Sequence, residues 1–80
     1  MEIKMQRIDP EMKEGRIVEW IKKEGDSVKK DDVIGRAESE KMVFDITSPV
    51  SGTIQKILAQ PGDVVAIGKP IVIVEEKTKE

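Results

Sequence analysis

The sequence contains no cysteine and no histidine. Without cysteine there is no disulfide, no thiolate metal site and no cysteine nucleophile. Without histidine, imidazole metal sites and the usual neutral-pH acid–base catalyst are excluded too. Aromatics are scarce, with Trp20 and Phe44 the only two. Two rings cannot build the stacking platform that a single-strand nucleic-acid module sets beside a basic groove. A surplus of positive charge is also missing, since 14 basic residues face 16 acidic ones for a net charge of −2. Phosphate neutralisation needs clustered Lys and Arg, so the composition argues against a nucleic-acid partner. Apolar runs grow no longer than Ile71-Val72-Ile73-Val74, far too short to span a bilayer. The N-terminus shows no apolar signal-peptide region. A hydrolase would have to work with carboxylates or lysines alone, and no such cluster stands out. These absences predict a soluble, cytoplasmic domain that is not an enzyme and has no metal, membrane or nucleic-acid partner.

What is present fits one small domain. A chain of 80 residues removes roughly 60–65% of its unfolded surface from water, enough for a single modest core. Residues 1–76 read as the domain, and 77–80, the end of the polar run from Glu75, as a tail or the start of a linker. Turn signals stand at Gly25-Asp26, Ser51-Gly52, Pro61-Gly62-Asp63 and Gly68-Lys69-Pro70. Between them lie short segments rich in Ile and Val: Ile3 to Ile8, Gly15 to Ile21, Val33 to Glu38, Met42 to Thr47, Gly52 to Leu58, Val64-Val65 and Pro70 to Val74. None holds a helical period over a dozen residues. One helix-like window, Arg16 to Lys23, is short and bracketed by glycines. The expected class is all-β, with many short strands.

An internal repeat sharpens that expectation. Gly15-Arg-Ile17-Val-Glu-Trp20-Ile21 sets above Gly52-Thr-Ile54-Gln-Lys-Ile57-Leu58 at an offset of 37. Without a gap, the same offset carries Gly25-Asp26 onto Gly62-Asp63, Val28 onto Val65, Ile34 onto Ile71 and Glu38 onto Glu75, and also Met5 onto Met42. Solenoids generally need three or more units. Two β-units closing on each other around a pseudo-twofold axis, as in a sandwich, suit two copies better. Within each unit, Ile17 with Trp20 and Ile54 with Ile57 stand three apart, so a strand burying both must bulge between them. Gly15 and Gly52 are expected where a strand starts beside another backbone, and Gly25 and Gly62 in turns. Pro61-Gly62 fits a type II turn.

The segment joining the copies, Glu38-Ser39-Glu40-Lys41-Met42-Val43-Phe44, reads as a hairpin with Glu40-Lys41 at its tip. The pseudo-twofold operation would put the chain ends at the opposite end of the domain. Lys41 is then an accessible amine on a rigid body. Trp20 reads as packing. Met42 and Phe44 read equally as packing under the hairpin or as recognition surface. The mixed-sign Lys22-Lys23-Glu24 and Lys29-Lys30-Asp31-Asp32 read as a solvated loop face.

Together these segments resemble a lipoyl domain of the biotinyl/lipoyl attachment family, the carrier modules of 2-oxo acid dehydrogenase acyltransferases, over nearly the whole chain. Glu14-Gly15-Arg16-Ile17-Val18-Glu19-Trp20, then Lys22-Lys23-Glu24-Gly25-Asp26-Ser27-Val28, is similar to the family's first half. Glu38-Ser39-Glu40-Lys41 resembles its Glu-Thr-Asp-Lys attachment turn. Ser48-Pro49-Val50-Ser51-Gly52 and Gly62-Asp63-Val64-Val65 with Gly68 resemble its second half. The resemblance implies a flattened barrel of two four-stranded sheets related by a pseudo-twofold axis. It implies lipoate amide-linked to Lys41, with Glu38, Ser39, Glu40 and Met42 forming the recognised turn. Asp9, Pro10, Glu11 and Met12 correspond to a surface loop that helps partners recognise that turn. The implied partners are a lipoate ligase or lipoyl transferase, and decarboxylase, acyltransferase and dihydrolipoamide dehydrogenase components, with the isolated domain monomeric. Biotin carriers of the same family present Ala-Met-Lys-Met; Met42 matches that pattern while Ser39-Glu40 match the lipoyl one. The alternative is therefore a biotin carboxyl carrier loaded on the same lysine by a biotin ligase.

Overall fold

Residues 1–76 are described by a computed structural model, and the polar tail expected at 77–80 lies outside the described residues. They form eight strands and no helix: β1 (Glu2–Lys4), β2 (Glu14–Trp20), β3 (Ser27–Val28), β4 (Val33–Glu38), β5 (Val43–Thr47), β6 (Gly52–Ile57), β7 (Val64–Ala66) and β8 (Pro70–Glu76). All pairings are antiparallel, in two four-stranded sheets ordered β1-β8-β6-β3 and β5-β4-β2-β7. The Arg16–Lys23 window is strand through Trp20, because alternation of buried Gly15 and Ile17 with exposed neighbours serves a sheet. The first strand is shorter than Ile3 to Ile8 and ends at Lys4.

The twofold repeat extends to individual hydrogen bonds. Arg16 opposite Val64 and Gly15 opposite Val65 are matched 37 residues away by Thr53 opposite Ser27 and Gly52 opposite Val28. The bulges predicted from the three-residue spacing are there, between Ile17 and Glu19 and between Ile54 and Lys56. Ile17, Ile34, Ile54 and Ile71 are all buried in one core with Met5, Val72 and Val74. Burying an isoleucine of this kind stabilises by roughly 1.5–3 kcal/mol. Gly25 and Gly62 take φ of 93° and 95°. Each sits third in a turn closed by an aspartate amide on a carbonyl three residues back, Asp26 on Lys23 and Asp63 on Gln60. Each aspartate carboxylate also accepts from the first residue of its turn, at 2.8 Å. The two copies interlock: the Asp63 carbonyl accepts from Ile17, and the Asp26 carbonyl accepts from Ile54.

Two expectations need correction. Met5 does not correspond to Met42: Met5 is core, whereas Met42 is exposed in the hairpin turn. Lys4 lies opposite Pro70, and Thr47 lies opposite Val33, so β1 and β5 correspond at an offset of 43. The true counterpart of Met5 is Ser48, likewise buried, and their amides donate to Lys69 and Asp32 in the same way. The path from Lys4 to Gly15 is therefore six residues longer than the equivalent path from Thr47 to Gly52, and the matching methionines were chance. Gly15 also differs from its mate. A Cβ on Gly52 would meet the Glu75 carbonyl oxygen at 2.1 Å, but a Cβ on Gly15 would meet the Met5 and Met12 side chains, not backbone.

Candidate functional site

The β4–β5 hairpin closes as expected. Glu38 stands opposite Val43, and the Ser39 amide donates to the Met42 carbonyl at 2.8 Å, leaving Glu40 and Lys41 at the tip. Neither tip residue takes a positive φ, so the turn lacks the primed geometry that usually matches a hairpin's twist. The Ser39 side chain supplies the missing closure. Its Oγ accepts from the Lys41 and Met42 amides, both at 3.2 Å, and donates to the Met42 carbonyl at 3.3 Å. A serine hydroxyl doing this locally is a recognised turn-former. At the base, Arg16 stands opposite Glu38 across the sheet and its guanidinium donates from Nε to the carboxylate at 2.7 Å. One strand further, Arg36 bridges Glu19 at 3.2 Å and Asp45 at 3.4 Å, its partners on either side.

The long β1–β2 connection folds against this tip. The Asp9 carboxylate accepts from the Glu11 amide at 2.8 Å, and its carbonyl accepts from the Met12 amide at 3.1 Å. Met12 is buried and anchors the loop from below, leaving Pro10 and Glu11 exposed above it. The Glu11 carboxylate reaches Lys41 Nζ at 3.3 Å. Asp9, Glu11, Ser39, Glu40 and Lys41 thus share one open groove at the tip.

The two stretches singled out in the sequence, 9–12 and 38–42, are therefore neighbours. Glu38 faces Arg16 and is partly buried, Ser39 builds the turn, and Glu40 is exposed. Met42 is exposed, while Phe44 packs on the core. Trp20 is half-buried over Gly35 and donates its indole N–H to the Ala59 carbonyl at 2.7 Å. Arg16 was missed. A signal existed: at an offset of 37 it stands over Thr53 while Glu38 stands over Glu75, so only one copy pairs a cation with that acid. Among the described residues no group of three acidic side chains could hold a metal ion, and no helix is long and apolar enough to cross a membrane.

The Lys41 hairpin, the two interlocked sheets and their pseudo-twofold have parallels among known proteins. The chain is 37% identical over 79 residues to the dihydrolipoyllysine-residue acetyltransferase component of the pyruvate dehydrogenase complex of Staphylococcus epidermidis, and 35% identical to that of Staphylococcus aureus. These matches cover 99% of the chain but 18% of either relative. Among solved structures, the lipoyl domain of the 2-oxoglutarate dehydrogenase complex from Azotobacter vinelandii superposes with a TM-score of 0.80 at 28% identity, covering 98% of this chain and 99% of that one. The Kluyveromyces lactis urea carboxylase superposes with a TM-score of 0.72 at 26% identity, over 94% of this chain and 7% of that one. The sequence matches the family described as "Biotin-requiring enzyme" across residues 1–74. With a match running from β1 into β8, the chain belongs to this biotinyl/lipoyl attachment family, whose members are carrier domains, not catalysts.

Proposed function

We propose that Lys41 carries lipoate in amide linkage and that the domain serves as a swinging arm in a 2-oxo acid dehydrogenase-type complex. The observation that carries this reading is the pose of Lys41: its side chain is 63% exposed on a turn closed by Ser39 and braced by Arg16 and Glu38. A free amine is mostly protonated at neutral pH, so the loading enzyme must remove protons and align the nitrogen. The chain's part is to present that nitrogen on an exposed turn at a reproducible place. When bound, the lipoyl group would supply a dithiolane that accepts an acyl group and reducing equivalents. The domain makes no bond itself. Tethering raises the arm's effective concentration at each active site it can reach.

Ser39-Glu40 before the lysine support lipoate. The second reading, biotin on the same lysine as a carboxyl carrier, is supported by Met42 and by the likeness to the urea carboxylase. The loading partner in this reading is a lipoate ligase or lipoyl transferase, replaced by a biotin ligase in the second. Decarboxylase, acyltransferase and dihydrolipoamide dehydrogenase components would use the loaded arm, with the domain monomeric and in the cytoplasm. The test is intact mass after exposure to both ligases with both acids. One lipoyl increment lost in Lys41→Arg supports the proposal; biotin alone transfers the reading to a carboxylase; neither refutes both.

A further inference from the structure

Glu11 and Lys41 meet across 30 residues of sequence, with Glu11 Oε1 3.3 Å from Lys41 Nζ, yet neither turn needs the contact. The backbone at Glu11 is set by Asp9 and by buried Met12. The backbone at Lys41 is set by Ser39. Each charged group is delivered to the other by a turn that stands without the pair. Charge around the groove is close to balance: Asp9, Glu11, Glu14 and Glu40 against Arg7, Lys13 and Lys41. The Arg7 guanidinium is already directed at the Pro10 carbonyl, at 3.2 Å. Lys41 is thus the cation held on Glu11.

We propose that Glu11 displays the modification state of Lys41. Its carboxylate, 81% exposed, is paired with the ammonium while the lysine is free and is left without a cation once the amine becomes an amide, so a partner presenting Arg or Lys there can prefer the loaded domain. The inference rests on the reading of Lys41 as the attachment site. In loading by an acyl-adenylate, the lysine nitrogen bonds the acyl carbon and the acyl–phosphate bond breaks with AMP as leaving group. The ammonium gives up two protons to solvent or base, which leaves a neutral N–H. A neutral donor cannot replace a charge-assisted contact, and the groove becomes one unit more negative. Because both turns have their own supports, the change is one of exposed charge and not of loop position. The pair is exposed on both sides, so it weakens as salt rises and the screening length falls from ~8 Å at physiological ionic strength to ~3 Å near 1 M.

The test compares amide and side-chain carboxyl NMR signals of the unmodified domain, the lipoate-loaded domain, Lys41→Gln, Lys41→Arg and Glu11→Gln. The Glu11 carboxyl and the Glu11 and Met12 amides should shift alike in the loaded domain and in Lys41→Gln, and stay near their unmodified positions in Lys41→Arg. High salt should move the unmodified signals towards those of Lys41→Gln, and in a Glu11→Gln background replacing Lys41 should leave the Met12 amide in place. Coincident Glu11 signals in the unmodified domain and Lys41→Gln would overturn the inference, as would shifts spreading through residues 5–15, which mean that the loop itself moves. Lys41→Gln needs no ligase, so its result stands even if Lys41 proves never to be loaded; loading without a Glu11 response leaves the carrier reading intact and sinks this one.

Discussion

Gly15 and Gly52 occupy matching places in the two copies, and substituting alanine at each should have unequal effects. At Gly52 the new Cβ would lie 2.1 Å from the Glu75 carbonyl oxygen and 2.9 Å from its carbon, where ordinary contact begins at 3.4 Å. Those are backbone atoms of β8, paired with β6 at Thr53–Glu75 and Gly52–Glu76, so relief requires parting the central strands of a sheet. At Gly15 the nearest atoms are Met5 Sδ at 2.8 Å and Met12 Cε at 3.0 Å, the ends of unbranched side chains that can turn aside. Overpacking relieved by a rotamer change costs about 1 kcal/mol, and one that displaces backbone about 3 kcal/mol or more. A domain of this size has roughly 4–12 kcal/mol in all. In melting temperature, with ~4–8 °C per kcal/mol for such domains, Gly15→Ala should lose about 4–8 °C. Gly52→Ala should lose about 12–24 °C or fail to fold. Circular dichroism melts of the two variants beside the parent decide it. If Gly52→Ala melts at or above Gly15→Ala, the close approach of β6 to β8 is not what limits that site.

Lys41→Arg should abolish loading, since a guanidinium cannot be deprotonated to attack, yet change stability by no more than about 0.5 kcal/mol; intact mass and a thermal melt check both. Ser39→Ala removes the side-chain bonds that close the turn, so the ligase rate should fall while stability changes by under ~1 kcal/mol, water replacing an exposed hydroxyl. An unchanged rate would mean that the turn keeps its shape without Ser39. Asp31 has φ of 74°, where its repeat mate is Gly68 at 90°. Asp31→Gly should therefore be neutral or stabilising by up to ~1 kcal/mol and Gly68→Ala destabilising by ~1 kcal/mol, read from denaturant midpoints. Replacing Ser39-Glu40 by Ala-Met should move the domain from lipoate towards biotin when both ligases compete, and an unchanged product mass would place ligase choice elsewhere.

The β-architecture was legible because the repeat put glycines, aspartates and isoleucines in register together. The three-residue spacing of Ile17 with Trp20 and Ile54 with Ile57 even located the bulges. The gap-free offset misled at the first strand. An insertion in an exposed loop leaves no mark on a pattern of buried residues, so Met5 could be laid on Met42 although its true counterpart is Ser48. Asp31 disguised a left-handed position that glycine would have announced. The Lys41 turn was legible as a hairpin, but its closure by the Ser39 hydroxyl was not, because a serine before an acid is equally ordinary in a solvated loop. The Glu11–Lys41 and Arg16–Glu38 pairs depend on which strands lie side by side, and charge patterning along one segment does not carry that.

Pseudo-symmetry also explains why the Lys41 turn and its flanking loop meet at one end. The twofold maps the 39–42 turn onto the end of the body where, among the described residues, Glu76 and Met1 lie. It maps the 5–13 loop onto the four residues 48–51, too few to stand beside a tip. Among the described residues, one end therefore has both an exposed lysine turn and a loop to flank it. Behind that end the body is held by reciprocal bonds, with the Gly62 amide on the Ile17 carbonyl and the Gly25 amide on the Ile54 carbonyl, each copy closing the other. Neither copy can keep its turn in place alone, so the body should open as a unit and not shed one half. A carrier needs that division of labour. In the proposed role, motion confined to the arm would search the active sites within its reach, whereas motion of the base would dilute it over a larger volume and lower its effective concentration at every one of them.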